Sequence, residues 1–353
     1  MNTLGKQVKM TDIAQLAGVS IATVSRAIHE PEKLRKETLS RVLQTIAKFD
    51  YVYNTSAADF KKRRASLIGL IVPTIRSSIQ AELIHGIQQR LADTSCSLII
   101  ANTDYNLDAE RRYLEQFGRR QLSGLILVGI RDELRTSIND LVSRGTPVVI
   151  TWELIRDAGI ANVGFDNYRA AKAGTEHLLA LGHTRIGVIV GPQRAVAKRI
   201  QERIRGHNEA LKKVGLRLDP GLLIETLPNP NEGLVAARNL LALPERPTAI
   251  FAMGDALAIG ALTAANEAGL HVPRDLSVLG FDDIEFSTVS YPALSTVHVP
   301  AFEMGEKAVD IILAALAGAD SPPQHLRLGA SLIVRGSTGP LRTSPHHSRT
   351  FPY

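Results

Sequence analysis

The chain has a single cysteine, Cys96, in 353 residues, so neither an internal disulfide nor a cysteine-built zinc module is open to it. It has one tryptophan, and aromatic residues make up only 5% of its length. No apolar run reaches the roughly 18 residues that a membrane-spanning helix needs. The opening stretch, MNTLGKQVKMTDIAQ, lacks the apolar core of a secretory signal. Also missing are a G-x-S-x-G elbow, a phosphate loop, a G-x-G-x-x-G turn and any metal-spaced set of histidines; the ten histidines are scattered. Disulfide-stapled secreted modules are therefore excluded, and catalysis and metal binding are left without a motif. The expectation is a soluble cytoplasmic protein that is not an enzyme and holds neither cofactor nor metal.

What is present is a large core and a lopsided charge. At 44% hydrophobic and 22% charged, the chain has material for two or three domains. Residues 1–66 carry twelve Lys and Arg against six acids, while the remainder carries 29 of each. The entire net charge of +6 thus belongs to the first fifth of the sequence. A small basic module on a neutral body has the electrostatic outline of a nucleic-acid binder with a separate sensing part. The plainer alternative is a solvated basic face.

Residues 11–17 predict a short helix capped by Thr11 or Asp12, with Ile13, Ala14, Leu16 and Ala17 on its apolar face. Gly18 stops it, and Ser20 caps a second helix over Ile21–Ile28. This is a helix-turn-helix outline; an ordinary helical hairpin is the alternative. Val24 and Ile28 would face the core, leaving Ile21, Ala22, Ser25 and Arg26 outward. Arg26 has the forked donors to grip guanine or a phosphate. Ile21 and Ala22 suit apolar contacts such as a thymine methyl, and Thr23 and Ser25 suit phosphates. A third helix is expected over 36–49, with Leu39, Val42, Leu43, Ile46 and Phe49 at helical spacing. Residues 54–66, with four consecutive bases from Lys61 to Arg64, read as a linker containing a conditional helix.

From Leu67 the pattern alternates short β-branched runs with amphipathic stretches. Strands are expected at 67–73, 97–101, 124–130, 147–151, 185–190, 248–253, 276–281 and 296–300, with another near 326–334. Helices are expected at 80–93, 109–119, 168–181, 199–214, 231–242, 256–268 and 302–317. Such alternation implies parallel sheets covered on both faces, here enough for two doubly wound lobes with a ligand cleft between them. The fold class expected is α/β, with an all-α headpiece ahead of the two lobes. Pro340–Tyr353 lacks periodicity and is expected to be disordered.

The run Val19-Ser20-Ile21-Ala22-Thr23-Val24-Ser25-Arg26 resembles the headpiece of the LacI/GalR family of bacterial transcription regulators. The similarity continues through Ile68–Pro73, Gly182-His183, Arg203-Ile204-Arg205-Gly206, Gly254-Asp255, Gly280-Phe281-Asp282-Asp283 and Pro292–Val297, covering residues 8 to about 336 in order. The resemblance implies a headpiece at 1–53, a hinge at 54–66, a bilobed periplasmic-binding-protein-like body at 67–339 for effector binding and dimerisation, and a tail at 340–353. It implies a homodimer on a palindromic double-stranded DNA operator, with no membrane partner, most simply as a repressor near the nucleoid. DNA contacts carry over to Thr11, Ser20, Ile21, Ala22, Thr23, Ser25, Arg26 and His29, and to Ala57, Phe60 and Lys61 in the hinge. Phe60 stands where the family has a leucine wedge, and Ala58 where an arginine is customary. Phenylalanine still suffices to unstack a base step.

The resemblance further implies a small-molecule effector in the cleft, a sugar or sugar derivative, with Arg203 and Asp255 as its second-lobe partners. Asp282 would either touch the effector or hold loop amides. Ser77–Gln80 replaces the aromatic residues usual on the first lobe, disfavouring a flat purine and leaving Ile79 and Gln80 as contacts. Trp152 would cover an apolar sugar face, unless it is core. The segment 192–202 leaves open which of Arg194, Lys198 and Arg199 reaches the ligand. Two rival readings are a solute-binding protein without DNA function and an enzyme using Asp255 or the Asp282-Asp283 pair. The tail has no heptad repeat, which favours a dimer over a tetramer.

Overall fold

The computed structural model describes residues 8–49, 51, 67–155, 159–192, 197–318 and 322–341. Two compact units divide between Ala65 and Ser66. The first contains α1 (Met10–Leu16), α2 (Ile21–His29) and α3 (Lys36–Lys48). The backbone amide of Lys9 donates to Asp12 Oδ2 at 2.9 Å, which secures the start of α1. Gly18 turns the chain with φ +63, a conformation costly for a residue with a Cβ. Ser20 then caps α2, its Oγ accepting from the Thr23 amide at 3.1 Å.

Ile13, Ala14, Ala17, Val24, Ala27 and Val42 form this unit's buried core, with Val19, Ile28, Leu34, Leu39 and Ile46 packed around it. Three residues expected inside are exposed: Leu16 at 53%, Leu43 at 46% and Phe49 at 38%. Three short helices meet along a narrow seam. From α1 and the residue that ends it, Met10, Ile13, Ala14 and Ala17 reach it, and from α3 Leu39, Val42 and Ile46.

The second unit is two lobes. In the first, β1 (Leu67–Val72), β2 (Ser97–Asn102), β3 (Gly124–Val128), β4 (Val148–Thr151), β5 (Ala161–Gly164) and β11 (His325–Arg327) form a parallel sheet in the order β11-β5-β4-β3-β1-β2. It carries α4 (Ser78–Leu91), α5 (Leu107–Arg119), α6 (Arg135–Ser143) and α12 (Ala301–Leu316). In the second, β6 (Ile186–Val190), β7 (Leu223–Glu225), β8 (Ala249–Ala252), β9 (Ser277–Asp282), β10 (Ser295–His298) and β12 (Ser331–Ile333) take the order β12-β10-β9-β8-β6-β7. Only β12, on the edge, is antiparallel to its neighbour among the described strands. Around it lie α7 (Asn167–Ala180), α8 (Ala197–Lys213), α9 (Pro230–Leu241), α10 (Asp255–Glu267) and the short α11 (Phe286–Val289).

The chain passes between lobes after β5, after β10 and between β11 and β12. The last passage explains why 326–334, expected as one strand, is two: Leu328–Ala330 is the crossing, and each half pairs in a different sheet. Strands β5 and β7 and helices α6 and α11 were not among the elements named from the sequence. The sequence ANVG of β5 has one β-branched residue, and LIE of β7 is a three-residue edge, so neither carries a periodic signal. The body continues past Gly339: the Leu341 amide donates to the Leu181 carbonyl at 2.8 Å, and residues 342–353 lie outside the described part. Among the described residues no helix is long and apolar enough to cross a membrane.

Candidate functional site

Two surfaces hold the residues singled out from the sequence. On the first unit, the N-terminal half of α2 presents Ser20, Ile21, Ala22 and Arg26 to solvent, with Thr23 and Ser25 half-buried beside them. Ile21 is 49% exposed, an apolar residue held outward while Val24 and Ala27 anchor the opposite face. The Arg26 side chain, exposed on this face, has no hydrogen-bond or ion-pair partner among the described residues, so its guanidinium donors are available. Thr11 is exposed on α1. The side chain of His29 and the hinge residues Ala57, Phe60 and Lys61 lie outside the described residues.

The second surface is the cleft at the carboxyl ends of both sheets. Pro73, Thr103, Gly129–Arg131 and Glu153 follow β1, β2, β3 and β4, and line a small cavity together with Arg199 from the second lobe. Arg203, on α8, is 4% exposed. Its Nε donates to Asn167 Oδ1 at 2.9 Å and its Nη1 to the Met253 carbonyl at 3.0 Å. The guanidinium carbon lies 3.7 Å from the centroid of the Phe281 ring. Asn167 in turn donates to the Trp152 carbonyl at 2.8 Å, tying the first lobe to Arg203. Burial lowers the pKa of Arg203 to about 10, which leaves it charged at neutral pH. Gly206 explains the R-x-x-G spacing: one turn beyond Arg203, a Cβ there would strike the Tyr168 carbonyl of α7.

Asp255, expected to grip the effector, is fully buried and occupied by its own lobe. Its Oδ2 accepts from the Ile284 amide at 3.0 Å and the Ser287 hydroxyl at 2.6 Å, and its Oδ1 from the Thr296 hydroxyl at 2.6 Å. It is a strut between α10, the β9–α11 loop and β10. Gly280 of the G-F-D-D run is glycine because a Cβ there would collide with the Asp255 carboxylate. Asp282, at the end of β9, has φ +121, in a region few non-glycine residues enter. Burial pushes its carboxyl up to about 8, against the pull of Arg203 and Arg199.

Trp152, expected as a possible platform for a sugar, is 2% exposed and packed in the core, its backbone amide 3.1 Å from Met304 Sδ. Ile79 is core as well. Gln80 is buried in the first turn of α4, and its Oε1 has no hydrogen-bond partner among the described residues. Of the three cations in the 192–202 segment, Arg199 is buried at the cleft, Lys198 is exposed and Arg194 lies outside the described residues.

Sequence reading missed the first-lobe wall. Arg131 pairs with Glu110 at 3.0 Å and donates to the Tyr105 carbonyl at 2.9 Å. Glu153 is 4% exposed, and burial raises its pKa against the opposing charges of Arg199 and Lys198. A usable signal existed: each of these residues except Glu110 lies just past the carboxyl end of an expected strand, where doubly wound sheets place their ligands.

A helix-turn-helix unit preceding a two-lobed body with a polar, buried-charge cleft defines the ligand-controlled DNA-binding regulators. Residues 9–54 match the model of the bacterial regulatory proteins of the lacI family, and residues 175–338 that of the periplasmic binding protein-like domain. The chain is 32% identical to the HTH-type transcriptional repressor CytR of Escherichia coli K12 over 329 residues, covering 93% of this chain and 96% of that one. It is 30% identical to the ribose operon repressor of the same strain, covering 93% and 99%. Among solved structures, the Lac repressor dimer bound to operator and the anti-inducer ONPF aligns with a TM-score of 0.81 at 26% identity, covering 95% of this chain and all of that one. The chain belongs to the lacI family. It is a DNA-binding transcriptional regulator with an effector-binding body, and not an enzyme.

Proposed function

We propose that this regulator is a repressor that binds a palindromic operator as a homodimer, and that a sugar or sugar derivative in the cleft sets its grip on DNA. The division of labour is a headpiece at 1–53, a hinge at 54–66, a body from 67 to about 339 and a C-terminal tail beyond it. Ser20, Ile21, Ala22, Thr23, Ser25 and Arg26 read the major groove, with Thr11 and His29 completing the set. Ala57, Phe60 and Lys61 of the hinge take the minor groove, Phe60 as the wedge. The observation that carries the effector reading is Arg203 held rigidly against Phe281, with Asp282 within its electrostatic reach. Fixed donors beside a carboxyl group suit a molecule rich in hydroxyls. A lacI-family regulator from Enterococcus faecium with bound ribose, 28% identical with a TM-score of 0.70, supports the same class of ligand.

The second copy is proposed to cover the apolar surface around α11, where Phe286, Val289 and Tyr291 are 51%, 77% and 99% exposed. Such a cluster is more than scattered surface apolarity. The dimeric Lac repressor structure supports this choice of occupant.

The test is a thermal-shift screen of sugars, amino sugars, nucleosides and sugar phosphates on the full chain, followed by operator selection from genomic fragments with and without each hit. One compound should raise the melting midpoint and change operator affinity by roughly 5–150-fold, the range of a coupling of about 1–3 kcal/mol. A tight ligand that leaves DNA binding unchanged overturns the reading. For the headpiece, Arg26→Ala should weaken operator binding by about 1–3 kcal/mol and relax one base position, whereas an equal loss on random DNA would refute base reading by Arg26.

A further inference from the structure

The cleft contains two cavities, and the residues they share are Glu153 and Arg199. The inner one, against the first lobe, has a volume of about 20 Å3, room for little more than one water. The outer one measures about 300 Å3 and is lined by Asn167, Tyr168, Lys198 and Arg205 among others. The Glu153–Arg199 pair therefore stands as the partition between an outer vestibule and an inner chamber.

Arg199 belongs to α8 of the second lobe, yet its guanidinium ends in the first. Its Nη1 donates to the Val128 carbonyl, at the end of β3, over 3.3 Å. Gly129 follows with φ +79. A methyl group on Gly129 would lie 2.9 Å from that nitrogen and 3.1 Å from Glu153 Oε1, which puts the two charges within about 6 Å of each other. The absent side chain is thus the space the guanidinium fills. Glu153 is held from behind: its backbone carbonyl accepts from Asn162 Nδ2 at 3.0 Å, and its carboxylate accepts from the backbone amides of Ile130 and Arg199. Its Oε2 is buried with no hydrogen-bond partner among the described residues. Glu110, the neighbouring acid, has Arg131 as its own partner.

We propose that Glu153, the Val128 carbonyl and the hollow at Gly129 form a cation-selective subsite of the cleft, and that Arg199 is its resident occupant. An effector that enters the inner chamber displaces this guanidinium and brings a cationic group of its own to Glu153. The physical reason is the cost of an uncompensated buried carboxylate. Removing one partner of a buried pair is far more damaging than exchanging it, and a neutral hydroxyl returns only part of a charge-assisted bond. Burial pushes the pKa of Glu153 up and that of Arg199 down, each held back by the other's charge, as expected of groups that depend on one another. The groups facing the pair are Lys198 on the Glu153 side, and Tyr105, Asp282 and Glu110 on the Arg199 side.

The ligand class rests on the cleft being the effector site, but the subsite is testable without any effector. Arg199→Ala in the full chain leaves a hollow shaped for a planar cation, and ethylguanidinium chloride at low-millimolar concentration is the probe. Ethylammonium chloride controls for shape and N-ethylurea for charge, all at matched ionic strength. Trp152, the sole tryptophan, immediately precedes Glu153 and reports on the site by its emission. Arg199→Ala should melt lower than the native chain. Ethylguanidinium should restore most of the lost midpoint and return the emission to its native position, ethylammonium less so and N-ethylurea not at all. The native chain and the double variant Arg199→Ala/Glu153→Gln should not respond. Rescue by N-ethylurea equal to that by ethylguanidinium, rescue of the double variant, or no rescue of a folded Arg199→Ala would each overturn the subsite. Should Arg199→Ala not fold, Arg199→Lys decides: native-like emission with an intermediate midpoint supports the cation requirement, and emission like that of Glu153→Gln refutes it. Failure of the sugar screen, by contrast, bears only on what enters the cleft.

Discussion

Asp255 and His207 illustrate how a titratable side chain in this body becomes structural. Asp255 accepts three hydrogen bonds from its own lobe, so Asp255→Ala strands two hydroxyls and an amide in the interior. Its expected cost is about 3 kcal/mol in urea unfolding of the full chain, with α11 and the β9–α11 loop the first to lose amide protection. A variant as stable as the native chain would refute the strut. His207, fully buried between α7 and α8, meets Thr175 Oγ1 at 2.9 Å through Nδ1. That hydroxyl already donates to the Ala171 carbonyl at 2.9 Å, so it accepts from His207, and the ring proton sits on Nδ1. Nε2 then faces the interior as a bare acceptor. Burial lowers the His207 pKa to about 4, below its unfolded value of 6.5. Its contribution to stability is present above pH 6.5 and is lost as the pH falls through about 4. His207→Gln should therefore lose less of its melting midpoint than the native chain does on acidification from neutral pH to pH 4.5. Parallel midpoint curves would contradict the assignment.

At the scale of elements, local spacing carried most of the helices and little of the edges. The helix-turn-helix was readable because Ser20 and Gly18 have local jobs, a cap and a left-handed turn, that few other residues do as well. Ser20→Ala should destabilise the headpiece by about 1 kcal/mol and reduce operator affinity while leaving the melting of the body unchanged. A coincident shift of both transitions would argue against an independent first unit. Leu16, Leu43 and Phe49 were misplaced because helical period identifies a stripe, while the number of neighbours decides how much of the stripe is buried. Strand β5 was missed for the opposite reason. Its burial comes from β4, β11 and α12, which lie on its flanks only after folding, and not from its own four residues.

The molecule as a whole couples a cleft to a charge state. Burial raises the Asp282 pKa to about 8, above its unfolded value of 3.8. The folded state therefore keeps a proton that the unfolded chain has released. This contribution is fully present below about pH 4 and disappears as the pH rises through about 8. Asp282→Asn should flatten the fall in melting midpoint between pH 6 and 9 and melt above the native chain at the alkaline end. An unchanged slope would place Asp282 in a more solvated setting. In the same range a hydroxyl-rich effector that donates to Asp282 should bind more tightly as the carboxylate forms, a trend that Asp282→Asn removes. For the dimer, Val289→Glu should shift sedimentation toward the monomer and weaken operator binding together; a stable dimer would locate the interface elsewhere.

By itself the sequence determined the basic reading head, the alternation that builds two doubly wound lobes, and membership of the lacI family. Each of these is written in contiguous residues, as caps, turns and apolar periods. Only the tertiary structure decided that Asp255 braces the second lobe, that Trp152 is core, and that Arg199 crosses to the Val128 carbonyl of the first lobe. Asp255 and Asp282 are chemically alike, and each lies at or just past the carboxyl end of a strand. What separates them is whether Ser287, Thr296 and Ile284 arrive from distant parts of the chain to satisfy the carboxylate, a matter settled by packing alone.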